Sequence, residues 1–107
     1  IKENMKHQAF AVFDSAAEMY SNPIFFRSKG EALRWFQDSA SDESSPLNKH
    51  PKDFSLTYLG EYDDETGEFQ ESIKISMMTG IEAKAANEAE HGPQIGDGPP
   101  ILTGTEG

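Results

Sequence analysis

Cysteine is absent from the 107-residue chain, which excludes disulfides, zinc ribbons and thiol nucleophiles and fits a reducing compartment. Basic residues are scarce: 9 Lys and Arg stand against 19 Asp and Glu, for a net charge of −10. The deficit runs along the whole chain, with eight Lys/Arg against fourteen Asp/Glu through Thr79 and one against five beyond it. An acidic chain is repelled by phosphate backbones at long range. Composition therefore argues against a DNA binder held by charge alone, and any nucleic-acid contact has to be local. No apolar run approaches the roughly 20 residues of a membrane span, and no charged-then-apolar signal sequence opens the chain. A soluble intracellular protein without membrane association is expected.

What is present is one strong helix signal. Ser28 followed three residues later by Glu31 is a capping box, in which the serine oxygen accepts from the Glu31 amide and the carboxylate reaches back to the Ser28 amide. A helix starting at Lys29 places Ala32, Leu33, Phe36 and Ala40 on one arc with Trp35 at its edge, while Glu31, Arg34, Asp38 and Ser41 point away. Gly30 in its first turn costs roughly 1 kcal/mol against alanine, so a close backbone approach or an anion at the helix start is its expected reason.

Before this helix, residues 9–13 are apolar on both faces and read as a central buried strand stopped by Asp14-Ser15. Residues 15–22 read as a turn or one loose helical turn closed by Asn22-Pro23, and 24–27 as a short strand leading into the capping box. After it, the apolar-free run 41–46 ends the helix and 47–53 reads as a polar loop. Phe54, Leu56 and Tyr58, then Phe69, Ile73, Ile75 and Met77, alternate with polar residues and read as two amphipathic strands covering the helix at Leu33 and Phe36. Asp63-Asp64-Glu65-Thr66-Gly67 joins them as a hairpin turn, with glycine where positive φ is needed.

Thr79-Gly80-Ile81-Glu82 repeats the capping-box spacing, so a short helix is expected over 80–91, although it has only Ile81 and alanines to bury. The reading is a small single α+β domain over 6–79 in the order β-β-α-β-β, an antiparallel sheet packed on one central helix. Residues 92–107, rich in Gly and Pro, are expected to form a disordered acidic C-terminal tail. Residues 1–5 read as upstream or disordered sequence, with Met5 as the natural start.

Chemistry is sparse. Glu61, Asp63, Asp64, Glu65, Glu68 and Glu71 gather six carboxylates without a base, but glycine is not at the sixth position of an EF-hand loop and no bidentate glutamate closes a loop of twelve. A solvated turn is the expected state. His7, His50 and His91 are too scattered for zinc, and no nucleophile elbow or phosphate loop occurs, so neither a metal, a cofactor nor an enzyme is expected. The local exception to acidity is Arg27, Lys29, Arg34, Lys49 and Lys52, interleaved with Phe25, Phe26, Trp35, His50 and Phe54. Cations for phosphates and rings for base stacking are what single-strand binding uses. The plainer reading places Phe25, Phe26 and Phe54 in the core and leaves Arg27, Lys29 and Arg34 to solvate a helix.

Phe13-Asp14-Ser15, the run Pro23-Ile24-Phe25-Phe26-Arg27-Ser28-Lys29-Gly30-Glu31-Ala32-Leu33-Arg34, Asp38, Lys49-His50-Pro51-Lys52-Asp53-Phe54-Ser55-Leu56 and Leu59-Gly60-Glu61-Tyr62-Asp63-Asp64-Glu65-Thr66-Gly67 occur in distinctive order and spacing. Over about Met5 to Ala83 they resemble the small nonstructural protein of gokushovirus-type microviruses, phages with single-stranded DNA genomes. The resemblance implies an accessory role in viral DNA synthesis or packaging, in the host cytoplasm, with single-stranded DNA or a viral replication protein as partner. It implies no catalytic residues. The sequence departs from the family pattern at Asn22-Pro23 and in its acidic extension after Ala83. The rival reading is an adaptor that binds the replication initiator or a host factor through the acidic hairpin and tail.

Overall fold

Alanine, phenylalanine and valine with no polar interruption leave the first strand fit only for the middle of a sheet, and that is where it lies. The computed structural model describes residues 6–91; the expected segments 1–5 and 92–107 lie outside them. Strand β1 (Lys6–Asp14) is lined along one edge by β2 (Met19–Tyr20) and β3 (Ile24–Phe26). Its other edge pairs along its full length with β4 (Phe54–Asp63), from Lys6 opposite Asp63 to Asp14 opposite Phe54. Strand β5 (Phe69–Thr79) adds to β4, completing a five-stranded, wholly antiparallel sheet. The segment read as a loose turn instead returns as β2: the Asp14 carboxylate accepts from the Ala16 and Ala17 amides, Glu18 takes φ +58°, and Tyr20 then pairs with Phe13.

Helices cover one face. Helix α1 (Lys29–Ser41) lays Ala32, Phe36 and Ala40, all at 0% exposure, onto Phe10 of β1 and Leu56 and Tyr58 of β4. Val12, Phe26, Leu33, Trp35, Phe54, Met77 and Met78 pack around that centre. Ser28 caps α1 as expected, accepting from the Glu31 amide at 3.1 Å, but the Glu31 carboxylate reaches one residue further back and accepts from the Arg27 amide. Residues read as a polar loop form helix α2 (Pro46–Lys49) and a 3₁₀ turn (Pro51–Asp53). Each begins with a proline, whose missing N–H costs nothing at a first helical position. Leu47 of α2 closes one end of the core.

The central helix has a partner. Helix α3 (Gly80–His91) is opened by a reciprocal capping box, Glu82 N–H to Thr79 Oγ1 and Thr79 N–H to Glu82 Oε1, and packs along α1. Small residues permit the approach. Ala83 is fully buried, and Asn87, 8% exposed, donates from Nδ2 to the Gln37 carbonyl and to Ser41 Oγ. Gly80 lies so close to the Pro51 carbonyl that any Cβ would overlap it. Ile81, the one large apolar residue of the helix, is 56% exposed and anchors nothing.

Candidate nucleic-acid interface

The five cations singled out in the sequence fall into two groups. Arg27 and Lys29 flank the cap where β3 passes into α1, and Arg34 is exposed on that helix. Lys49 and Lys52 are exposed in α2 and the 3₁₀ turn. The Asn48 side-chain amide holds that segment to the Ala40 carbonyl at 2.8 Å, at the far end of α1. A rise of about 1.5 Å per residue puts the two ends of this 13-residue helix about 18 Å apart. One strand of nucleic acid would therefore have to run the length of α1 to touch all five. Lys29 is also engaged locally, with Nζ 4.6 Å from the centre of the Tyr58 ring. Tyr58 donates from its hydroxyl to Gln8 Oε1 at 2.7 Å, and Gln8 Nε2 donates to Glu61 Oε2 at 2.9 Å. Burial first, and then the Glu61 charge, raise the Tyr58 pKa above its ordinary value.

The aromatic partners divide differently from expectation. Phe26 and Phe54 pack against the core, as the plainer reading has it, and so does Trp35, whereas Phe25, which that reading also placed in the core, is 49% exposed on the opposite face of the sheet. No helix among the described residues covers that face, which is built in rows of cross-strand neighbours. One row runs Phe25, Ala9, Gly60, Glu71 across β3, β1, β4 and β5, and the next runs His7, Tyr62, Phe69. Small residues in the first row and rings beside them leave an open groove of about 510 Å³, lined by Ala9, Pro23, Phe25, Leu59, Tyr62 and Phe69, with Lys74 at its margin. The Phe25 and Tyr62 rings stand 5.9 Å apart. Further along the same face, the Phe13 and Tyr20 rings lie 4.7 Å apart, tilted by 45°.

Bulges created this face, and they are what the alternation pattern could not reveal. Phe69, Ile73, Ile75 and Met77 were expected on the helix side. Pairing of β4 with β5 slips between Leu56 and Thr57 and again between Tyr58 and Gly60. Each slip breaks the period of two. Met77 and Met78 accordingly reach the core, Phe69 is turned to the helix-free side, and Ile73 and Ile75 stay exposed. Gly60 is the pivot. It takes φ +153°, and a Cβ there would overlap the Gln70 carbonyl and meet the Phe69 ring at 3.0 Å.

The acidic hairpin turn is ordered by its own backbone. Asp63 Oδ1 accepts from the Glu65 and Thr66 amides, Gly67 takes the anticipated positive φ of 78°, and His7 Nε2 lies 2.9 Å from Asp64 Oδ2. Among the described residues no group of three or more His, Cys, Asp or Glu side chains is placed to hold a metal ion. No described helix is long and apolar enough to cross a membrane.

Fold and face define a small α+β protein, an antiparallel sheet with short helices on one side and exposed rings on the other. Its relatives are viral. The family described as Phage ORF5 protein matches residues 7–83, and Protein ORF5 of Chlamydia phage 1 is 36% identical over 78 residues, covering 69% of this chain and 80% of that protein. The chain belongs to the Phage ORF5 protein family, and the resemblance to gokushovirus-type microvirus proteins read from its motifs holds. No solved structure matches it.

Proposed function

We propose that this phage protein is a non-enzymatic accessory factor in single-stranded viral DNA synthesis or packaging, and that it contacts the single strand through the helix-free face of its sheet. The observation that carries this reading is the exposure of Phe25 and Phe69, with the half-buried Tyr62 between them, beside one groove on that face. Exposed rings on a sheet are stacking platforms for unpaired bases, each worth about 1–3 kcal/mol and indifferent to sequence. Lys74 borders the groove, and Arg27 follows Phe25 by two residues, so both can reach phosphates. Lys49 and Lys52, beyond the far end of α1, supply a second contact only to a longer strand. With a net charge of −10, stacking has to supply most of the affinity.

Fluorescence anisotropy of a labelled oligothymidylate at two salt concentrations tests the reading. Contact with three to five phosphates gives a log-log salt slope of roughly −2 to −3.5. Phe25→Ala and Phe69→Ala should each weaken binding about tenfold or more with the slope unchanged. With an oligothymidylate long enough to reach past the far end of α1, replacing Arg27 and Lys49 together by alanine should flatten the slope by about 1.4. A second reading is favoured by the exposed carboxylates of the β4–β5 turn: an adaptor that meets the replication initiator or a host factor there. On that reading the oligonucleotide stays unbound even at low salt, and neutralising Asp63 and Asp64 abolishes capture of a protein partner.

A further inference from the structure

Among the rings of the helix-free face stands a carboxylate, Glu71, which repels any phosphate brought to the groove it lines. Its position is fixed by the ladder. Ahead of the bulge, β4 and β5 pair without a slip, Tyr62 opposite Phe69, Glu61 opposite Gln70 and Gly60 opposite Glu71. Phe69 and Glu71, two residues apart, therefore share one face at a spacing of about 7 Å. Gly60 has no side chain, and the Phe69 ring leans over it, with Cζ 3.0 Å from where a Gly60 Cβ would stand. Ring and carboxylate thus flank one bare stretch of backbone. Glu71 is exposed and makes no ion pair or side-chain hydrogen bond among the described residues, so both of its oxygens are open to accept.

We infer that Glu71 selects the base, and that the groove prefers guanine to thymine in the single strand. This rests on the reading that the face binds single-stranded DNA. A carboxylate disfavours the backbone, so what faces it is a base edge. The unpaired Watson–Crick edge of guanine offers two adjacent donors, N1–H and the N2 amine, which match the two oxygens of one carboxylate. Bidentate bonds to an ionised acceptor are the strong ones. Thymine presents a single N3–H between two carbonyl oxygens, and a carboxylate repels both. Cytosine and adenine each set one amine beside an acceptor nitrogen, so they rank between. Stacking on Phe69 does not discriminate, because every base has a π-face. Discrimination comes from the edge, as it does where splayed bases are stacked on rings and bonded along their Watson–Crick edges. Lys74, at the margin of the same groove, is left for the phosphate. Acid and base then divide one nucleotide between them.

Fluorescence anisotropy on the full chain tests the inference with three short oligothymidylates that differ at one central position: thymine, guanine, or hypoxanthine, which is guanine without its N2 amine. A single guanine keeps the strands from associating with one another. Wild type should bind the guanine strand about fivefold more tightly than the thymine strand, and hypoxanthine should forfeit most of that gain. Glu71→Gln should bring the three strands to within about twofold of one another, with the thymine strand held at least as tightly as by wild type. Glu71→Ala is the second variant, expected to act in the same way, and circular dichroism checks that both fold. If wild type binds all three strands equally and Phe25→Ala weakens each, the face binds the strand and selection by Glu71 is refuted. A guanine preference that survives Glu71→Gln, or a variant that tightens all three strands by one common factor, likewise overturns the inference. Binding of none of the strands at low salt removes the reading of the face and this inference together.

Discussion

Gly60 decides which way the hairpin presents its rings. Its φ of +153° and the crowding of a Cβ against the Gln70 carbonyl and the Phe69 ring leave no room for a side chain. Gly60→Ala is expected to cost about 2–4 kcal/mol, measured as a lower urea midpoint at unchanged slope, and to weaken oligonucleotide binding by moving Phe69. Tyr58 offers a test on the other face. Its phenol holds its proton longer in the folded chain than in the unfolded one, because burial and Glu61 oppose the anion. Stability from this group is therefore complete below the ordinary tyrosine pKa of 10.0 and is lost as pH rises above it. Spectrophotometric titration should show one of the three tyrosines ionising after the others, and Tyr58→Phe should remove that late component. Residues whose roles are settled within a few neighbours were legible in the sequence: Ser28 and Thr79 as caps, Gly67 as the turn glycine. Gly30 was not. A Cβ there would meet only Ser28 Oγ at 3.9 Å, so no close approach accounts for it.

At the scale of elements, α1 was legible because its apolar arc repeats at the helical period over three turns, and β1 because it is apolar on both faces. Helix α3 looked marginal because it had only Ile81 and alanines to bury; one of those alanines, Ala83, is indeed what it buries, and Asn87 bonded to Gln37 and Ser41 of α1 supplies the rest. Composition cannot announce an amide that is structural only because another helix lies across it. Asn87→Ala should lower stability by about 1–2 kcal/mol by leaving the Gln37 carbonyl without that donor, whereas Glu88→Ala, one residue on and exposed, should stay within about 0.5 kcal/mol. Equal midpoints for the two variants in urea denaturation would show that α3 is not held through Asn87. Strand β5 is the opposite case. Its alternation was visible, but its faces were set by bulges that arise in pairing with β4, and no single-strand pattern encodes a slip in register.

The whole molecule sets a helix-covered side against an open, ring-bearing side. The sequence showed the cations and the rings together and suggested one patch; folding sends Arg27 and Lys49 to opposite ends of α1 and separates Phe25 from Phe26 by the thickness of the sheet. The helix-free face, not the basic residues as a group, is the account's central claim. Amide and aromatic NMR spectra recorded while oligothymidylate is added test it most directly. Shifts concentrated at Phe25, Tyr62, Phe69 and the strand residues beneath them, with Phe36, Ala83 and the core of α1 undisturbed, are the predicted result. Shifts confined to the acidic turn or to the helices, or none at low salt, would contradict it.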